Sequence, residues 1–219
     1  MQKMKFNSVV ILKLLIVFLY FSVSGICQSQ LILDDFSTGS LDRISTNTIS
    51  TIQRTQSGKS IIKCANEIMG NRLVQLQITD NPFGQNMSVS VNVNSKISIV
   101  NFDYGVHGRL YLTYGLNGKG DKQCNLNQNI NKFSKIVIEF DGMDKPLNVG
   151  FTLYSNLTNH FSCTRQNVSG NKIEFLLSAS SCSGGPNFSL ADIDQFTFYF
   201  ESTAPKYGND FGIKKIYLE

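Results

Sequence analysis

The segment QFTFYF, residues 195–200, sets a large apolar side chain at every second position, and the same period of two recurs along the chain. In MSVSVNV, Val89, Val91 and Val93 alternate with Ser88, Ser90 and Asn92. Ile136, Ile138 and Phe140 share one side of KIVIEF, Val149, Phe151 and Leu153 one side of VGFTLY, and Val74, Leu76 and Ile78 one side of LVQLQIT. Successive side chains of a strand point to opposite faces, so each segment reads as a half-buried strand whose apolar face must be covered by a second layer. Between them fall FSTGS, QSGK, NPFG, VNSK, GLNGKGD, DGMDKP, VSGN, SSCSGGP and KYGND, rich in residues that accept positive φ or pre-set a turn. These interruptions come too often for crossover helices. One short helical turn is expected around SLADID, with Ser189 as its cap and Asp192 and Asp194 suiting its N-terminal end. The pattern predicts an all-β fold, an antiparallel jelly-roll β-sandwich.

Lys3 and Lys5 precede the apolar run LLIVFLYFSV, residues 14–23, in the order of an export signal. A membrane-spanning helix needs roughly 20 predominantly apolar residues, whereas this run breaks at SGICQSQ, where small residues permit cleavage. Cleavage after Cys27 divides the chain into a 1–27 signal peptide and a 28–219 β-sandwich domain, secreted or held at the cell surface. Ser24-Gly25-Ile26-Cys27 also partly matches the site at which bacterial lipoproteins are lipidated on Cys, with Ile26 standing where a small residue is usual. No later segment is apolar for long enough to span a membrane. No Pro-rich or Gly/Ser-rich linker, charge block or fixed-period repeat divides the remainder. The chain has 20 Lys and Arg against 16 Asp and Glu, but Lys3, Lys5 and Lys13 lie in the expected signal, so the exported part is nearly neutral. It shows no basic patch or stripe, and no nucleic-acid partner is expected.

After cleavage Cys64, Cys124, Cys163 and Cys182 remain, and an even count in an exported chain favours disulfides. Four cysteines allow three pairings. Cys163 with Cys182 would flank the expected strand KIEFLL and staple that excursion, leaving Cys64 with Cys124. The lack of a close C-x-x-C pair argues against zinc.

In EFDGMD, Glu139, Asp141 and Asp144 copy the E-x-D-x-x-E spacing of a large family of β-jelly-roll glycosidases. There Glu139 would be the nucleophile and Asp144 the acid, in a retaining site whose two carboxyls stand about 5 to 5.5 Å apart. Three features oppose this. The last carboxylate is the shorter Asp, Gly142 and Pro146 mark a hairpin turn, and the chain has no Trp to stack on a sugar. A solvated acidic turn between KIVIEF and LNVGFTLY accounts for every residue. His107 and His160 sit in different loops, with no G-x-S-x-G elbow or H-E-x-x-H pair. The non-catalytic reading is therefore favoured.

A binding module would present Tyr and Phe beside Asn, Gln and Asp, and GRLYLTYGLNG offers Tyr111 and Tyr114 in such company. Alternation puts Leu110, Leu112 and Tyr114 on one face and Tyr111 and Thr113 on the other, so the two tyrosines divide between core and surface. The expected partner is a glycan. An extracellular protein is the alternative, which would call for a flat apolar patch on an outward face.

LILDDFSTG resembles the opening strand of secreted galactose-binding-like jelly rolls, a group that includes many carbohydrate-binding modules and the domain of the complex I intermediate-associated family. FSLADIDQFTFYFES followed by NDFGIKKIYLE is similar to their closing strands. IMGNRLVQL resembles an early strand that usually carries Gly-Gly before a basic residue; here Asn71 replaces the second Gly. The resemblance implies the jelly-roll fold, carbohydrate binding, and a structural calcium where the first and last strands meet, with Asp34 or Asp35 and Asp210 as its oxygen ligands. No other cofactor is expected. Read from the residues alone, the adjacent carboxylates end the strand and cap its turn, Asp35 accepting backbone N–H bonds from FSTG.

Overall fold

The computed structural model describes residues 30–49, 52–60, 70–116, 126–155, 159–178, 180, 182–202 and 207–219. Its strands are β1 (Leu31–Asp34), β2 (Leu41–Thr46), β3 (Ile52–Ser60), β4 (Gly70–Asp80), β5 (Met87–Asn92), β6 (Ile97–Phe102), β7 (His107–Tyr114), β8 (Lys135–Met143), β9 (Leu147–Tyr154), β10 (His160–Val168), β11 (Lys172–Leu176), β12 (Cys182–Gly184), β13 (Gln195–Ser202) and β14 (Asn209–Leu218). No α-helix occurs among the described residues. Around SLADID the chain makes only a turn, in which the Ala191 amide donates to the Ser189 hydroxyl at 3.2 Å. Ser189 caps as expected, but the chain enters β13 before a helical turn can repeat.

The strands form two 7-stranded sheets. One runs β11-β8-β14-β6-β5-β2 with β1 added on β14, and the other runs β12-β10-β9-β13-β7-β4-β3. The fold is the antiparallel jelly-roll β-sandwich that the alternation predicts. Inward positions of both sheets form one core, with Val89, Val100, Ile138 and Ile213 facing Val74, Leu112, Val149 and Phe198, all buried. Rings cross between the layers edge to face, Phe140 with Phe200 at 6.1 Å and Phe151 with Phe175 at 5.2 Å. Fully burying one such side chain contributes about 1.5–3 kcal/mol, so the sandwich is held by its own interior.

One inward position carries a charge. Arg72 has the same phase on β4 as Val74, Leu76 and Ile78, and it is fully buried. Its Nε and Nη2 donate to the two carboxylate oxygens of Asp34 at 2.6 Å each, and Nη1 donates to the Gly39 carbonyl at 3.2 Å. The Tyr114 hydroxyl donates to Asp34 Oδ2 at 2.8 Å, and the Phe36 amide to Oδ1 at 2.8 Å. Burial alone would favour discharging Arg72, but the hydrogen bonds and charge of Asp34 outweigh it and hold the guanidinium above its ordinary pKa. Phe36 has a positive φ of 52°, a conformation that costs a bulky residue about 1–3 kcal/mol and persists only where its surroundings enforce it. They do so here: its amide is held by Asp34, and the guanidinium lies 4.7 Å from its ring centroid. LILDDF is thus a strand whose first carboxylate, Asp34, turns inward and ties the β1 loop to the opposite sheet.

Cys163 and Cys182 are directly opposed on β10 and β12 and form a disulfide, the pairing expected from their positions around KIEFLL. Cys64 and Cys124 lie outside the described residues, as do Cys27 and the expected signal. Among the described residues no helix is long and apolar enough to cross a membrane.

Candidate functional site

On the outward face of the sheet containing β13, antiparallel register lines side chains up in rows across the strands. The middle row runs Gln75, Tyr111, Tyr199, Gly150, Thr164 over β4, β7, β13, β9 and β10. On one side of it lies the row Gln77, Arg109, Glu201, Asn148. On the other lie Thr113, Thr197, Thr152 and Ser162. A pair of aromatic rings is thereby bordered by amides and an ion pair on one flank and by hydroxyls on the other.

The side chains are braced by one another. Arg109 Nε donates to Glu201 Oε1 at 2.7 Å and Asn148 Nδ2 donates to Oε2 at 3.0 Å. Burial works to raise the Glu201 pKa, yet the Asn148 and Arg109 hydrogen bonds bring it below the usual glutamate value, so Glu201 is a carboxylate at neutral pH. The Tyr111 hydroxyl donates to Gln77 Oε1 at 3.2 Å. The Tyr199 hydroxyl bonds to Thr164 Oγ1 at 2.8 Å, and the guanidinium of Arg109 lies 5.8 Å from the Tyr199 ring centroid. The two rings are 6.4 Å apart and inclined at 49°, each half-buried. Chemically the face offers flat apolar surface with donors and acceptors on both sides.

The two tyrosines singled out in the sequence part company, as their phase implies. Tyr111 sits in the middle row. Tyr114 is fully buried inside the sandwich, with its hydroxyl on Asp34, and burial first and the Asp34 charge second push its pKa well above the usual phenol value. It cannot reach a ligand and is corrected to a core residue. Tyr199, Arg109, Glu201, Asn148 and the two glutamines were missed. The signal for Tyr199 was available, since an aromatic at the outward phase of QFTFYF is not needed by the core.

The carboxylates implied as calcium ligands are not brought together. Both oxygens of Asp34 are taken up by Arg72, Tyr114 and the Phe36 amide. Asp35 Oδ1 accepts from the Ser37 amide at 3.0 Å and hydroxyl at 2.6 Å, the local cap that the residues alone suggested. Asp34 opposes Ile216 on β14, and Asp210 lies six positions away, about 20 Å along a strand. Asp210 instead accepts from Asn101 Nδ2 at 2.5 Å, and burial, Asp144 and Asp103 in that order raise its pKa. Among the described residues no three His, Cys, Asp or Glu side chains are grouped to hold a metal ion. These residues therefore do not fit calcium.

The carboxylates of EFDGMD lie on the other sheet and serve separate partners. Glu139 Oε1 accepts from the Tyr217 hydroxyl at 2.9 Å, and Asp141 pairs with Lys214 at 2.5 Å. Asp144 borders a depression of about 270 Å³ with Ile97, Ile99, Gly142 and Asp210.

No protein-family model matches the chain, and no curated protein matches it. Among solved structures it is similar to a family 11 carbohydrate-binding module of a cellulosomal cellulase of Clostridium thermocellum, at 16% identity over 87% of this chain and 94% of that one, with a TM-score of 0.40. It is also similar to a family 29 carbohydrate-binding module, at 14% identity over 77% of this chain and 88% of that one, TM-score 0.33. A third likeness is to the module TmCBM61 in complex with β-1,4-galactotriose, at 10% identity over 79% and 90%, TM-score 0.31.

Proposed function

We propose that the protein is an exported, non-catalytic module that binds carbohydrate on the outward face of its β13 sheet. The observation that carries this reading is the middle row, in which Tyr111 and Tyr199 stand side by side between amides and hydroxyls. A sugar presents an apolar C–H face and a rim of hydroxyls, and a recognition surface for it needs aromatic area plus a few placed polar groups. The row spans five strands spaced about 4.8 Å apart, so the ligand is an extended oligosaccharide lying across the strands.

A glycan array probed with the full chain tests the reading, with Tyr111→Ala as the companion variant. Saturable binding that weakens in the variant supports it; a blank array from demonstrably folded protein overturns it. Export is tested separately by N-terminal sequencing of protein recovered from the medium, where Gln28 is the expected first residue.

A further inference from the structure

We infer that Tyr199 is the principal stacking surface for the sugar and that Gly150 is the positioning residue that lays its ring flat. The inference rests on the carbohydrate reading of the face and deepens it. An outward side chain on a strand ordinarily stands roughly perpendicular to the sheet. Tyr199 does otherwise, because its hydroxyl bonds at 2.8 Å to Thr164, which lies on β10, two strands away across β9. Two strand spacings are about 9.6 Å, a reach that a tyrosine can help to cover only by leaning over the strand between.

Gly150 is the residue that it leans across. A Cβ there would stand 2.5 Å from Tyr199 Cε1 and 2.7 Å from Cζ, and 2.7 Å from the Cys163 carbonyl oxygen. Carbon atoms in contact prefer about 3.5–4.0 Å, so any side chain at 150 must lift the ring. This glycine supplies space, since it is not among the positions of positive φ. From the other side the ring is flanked by the Arg109 guanidinium and by Tyr111. Leaning on the backbone of β9, Tyr199 turns a ring face outward; standing upright, it would offer mostly an edge. A pyranose stacking by its C–H face needs the former.

Titration calorimetry with the tightest oligosaccharide found on the array tests the role. Tyr199→Leu and Gly150→Ala are each expected to weaken binding about tenfold, the loss of one buried aromatic contact. Tyr199→Phe and Thr164→Val, which remove only the hydroxyl latch, are expected to weaken it a few-fold. Because a methyl group at 150 also presses on the Cys163 carbonyl, the Thr164 and Tyr199 variants keep the test valid if Gly150→Ala misfolds. The placement has a readout that needs no glycan. In NMR spectra the Gly150 α-protons, lying beneath the ring, are expected upfield in wild type and back at ordinary shifts in Tyr199→Leu. Unshifted Gly150 protons in wild type would overturn the placement. Shifted protons with undiminished affinity in Tyr199→Leu would overturn the role while leaving the carbohydrate reading intact. Shifted protons in a protein that binds no glycan would overturn the carbohydrate reading and the role with it.

Discussion

On the outward face of the β14 sheet, Lys135 pairs with Glu174 and Glu219, Lys172 with Glu174, and Lys214 with Asp141. On the outward face of the β13 sheet the ion pair among the described residues is Arg109 with Glu201, and the neighbouring positions carry Gln, Asn, Thr, Ser and Tyr. Both faces have an outward tyrosine, and the two are treated differently. Tyr217 is buried at 3% exposure, with the Lys215 ammonium 4.4 Å from its ring centroid and its hydroxyl on Glu139. Tyr199 is only half-buried, with the Arg109 guanidinium farther off, 5.8 Å from its ring centroid. An outward aromatic is therefore not a site in itself; what distinguishes the two faces is whether the neighbours close over the ring or leave it open.

The largest effect expected lies beneath the open face. Arg72→Met leaves the Asp34 carboxylate buried without its cation, which costs about 3–5 kcal/mol for a broken buried pair, read as a lowered urea midpoint. Lys135→Ala on the opposite face removes only part-exposed surface pairs, which salt screens, and its midpoint should move far less. Comparable losses in the two variants would erase the contrast between buried and solvated charge.

Next in size is recognition. Tyr199→Leu should lose about tenfold in glycan affinity, while Tyr217→Leu should bind like wild type in the same titration. Equal losses would mean that the binding face has been misplaced.

Smaller still is the response to acid, where the two faces should differ in sign. Glu201 has a lowered folded pKa, so its contribution to stability is full above the ordinary glutamate value and is lost as pH falls through the lowered one. Asp210 has a raised folded pKa, so its cost is full above that value and relieved as pH falls through it to the ordinary one. On acidification from neutral, the two groups should therefore act in opposite directions, a difference of sign visible by comparing stability against pH for Asp210→Asn and Glu201→Gln with wild type. The finest test is an NMR titration of the Asp210 carboxyl in Asp144→Asn. Removing one of the like charges that raise its pKa should move the midpoint down, and an unmoved midpoint would assign the shift to burial and Asp103 without Asp144.

The strands were legible because their inward phase is set by residues such as Phe196, Phe198 and Phe200, and a period of two survives without any knowledge of partners. The same phase sorted Tyr111 outward and Tyr114 inward. The buried Arg72 went unread, since nothing local could pair it with Asp34, 38 residues earlier. The site was less legible because it is made by register between strands far apart in sequence. Gly150 in VGFTLY reads as an ordinary tolerated glycine until Tyr199, on another strand, is known to lie across it. Asp34, Asp35 and Asp210 looked like one group for the complementary reason: β1 and β14 do pair, but the register separates those particular residues along them.

The position of β14 also bears on the time course of synthesis. Made after every other strand described, it lies between β8 and β6 and takes β1 at its end. As the chain is made from its N-terminus, these three strands wait with unpaired edges for β14, and such long-range pairings are slow to form. The other sheet needs nothing beyond β13, so it can assemble earlier and offer the first half of the core as a template for the second.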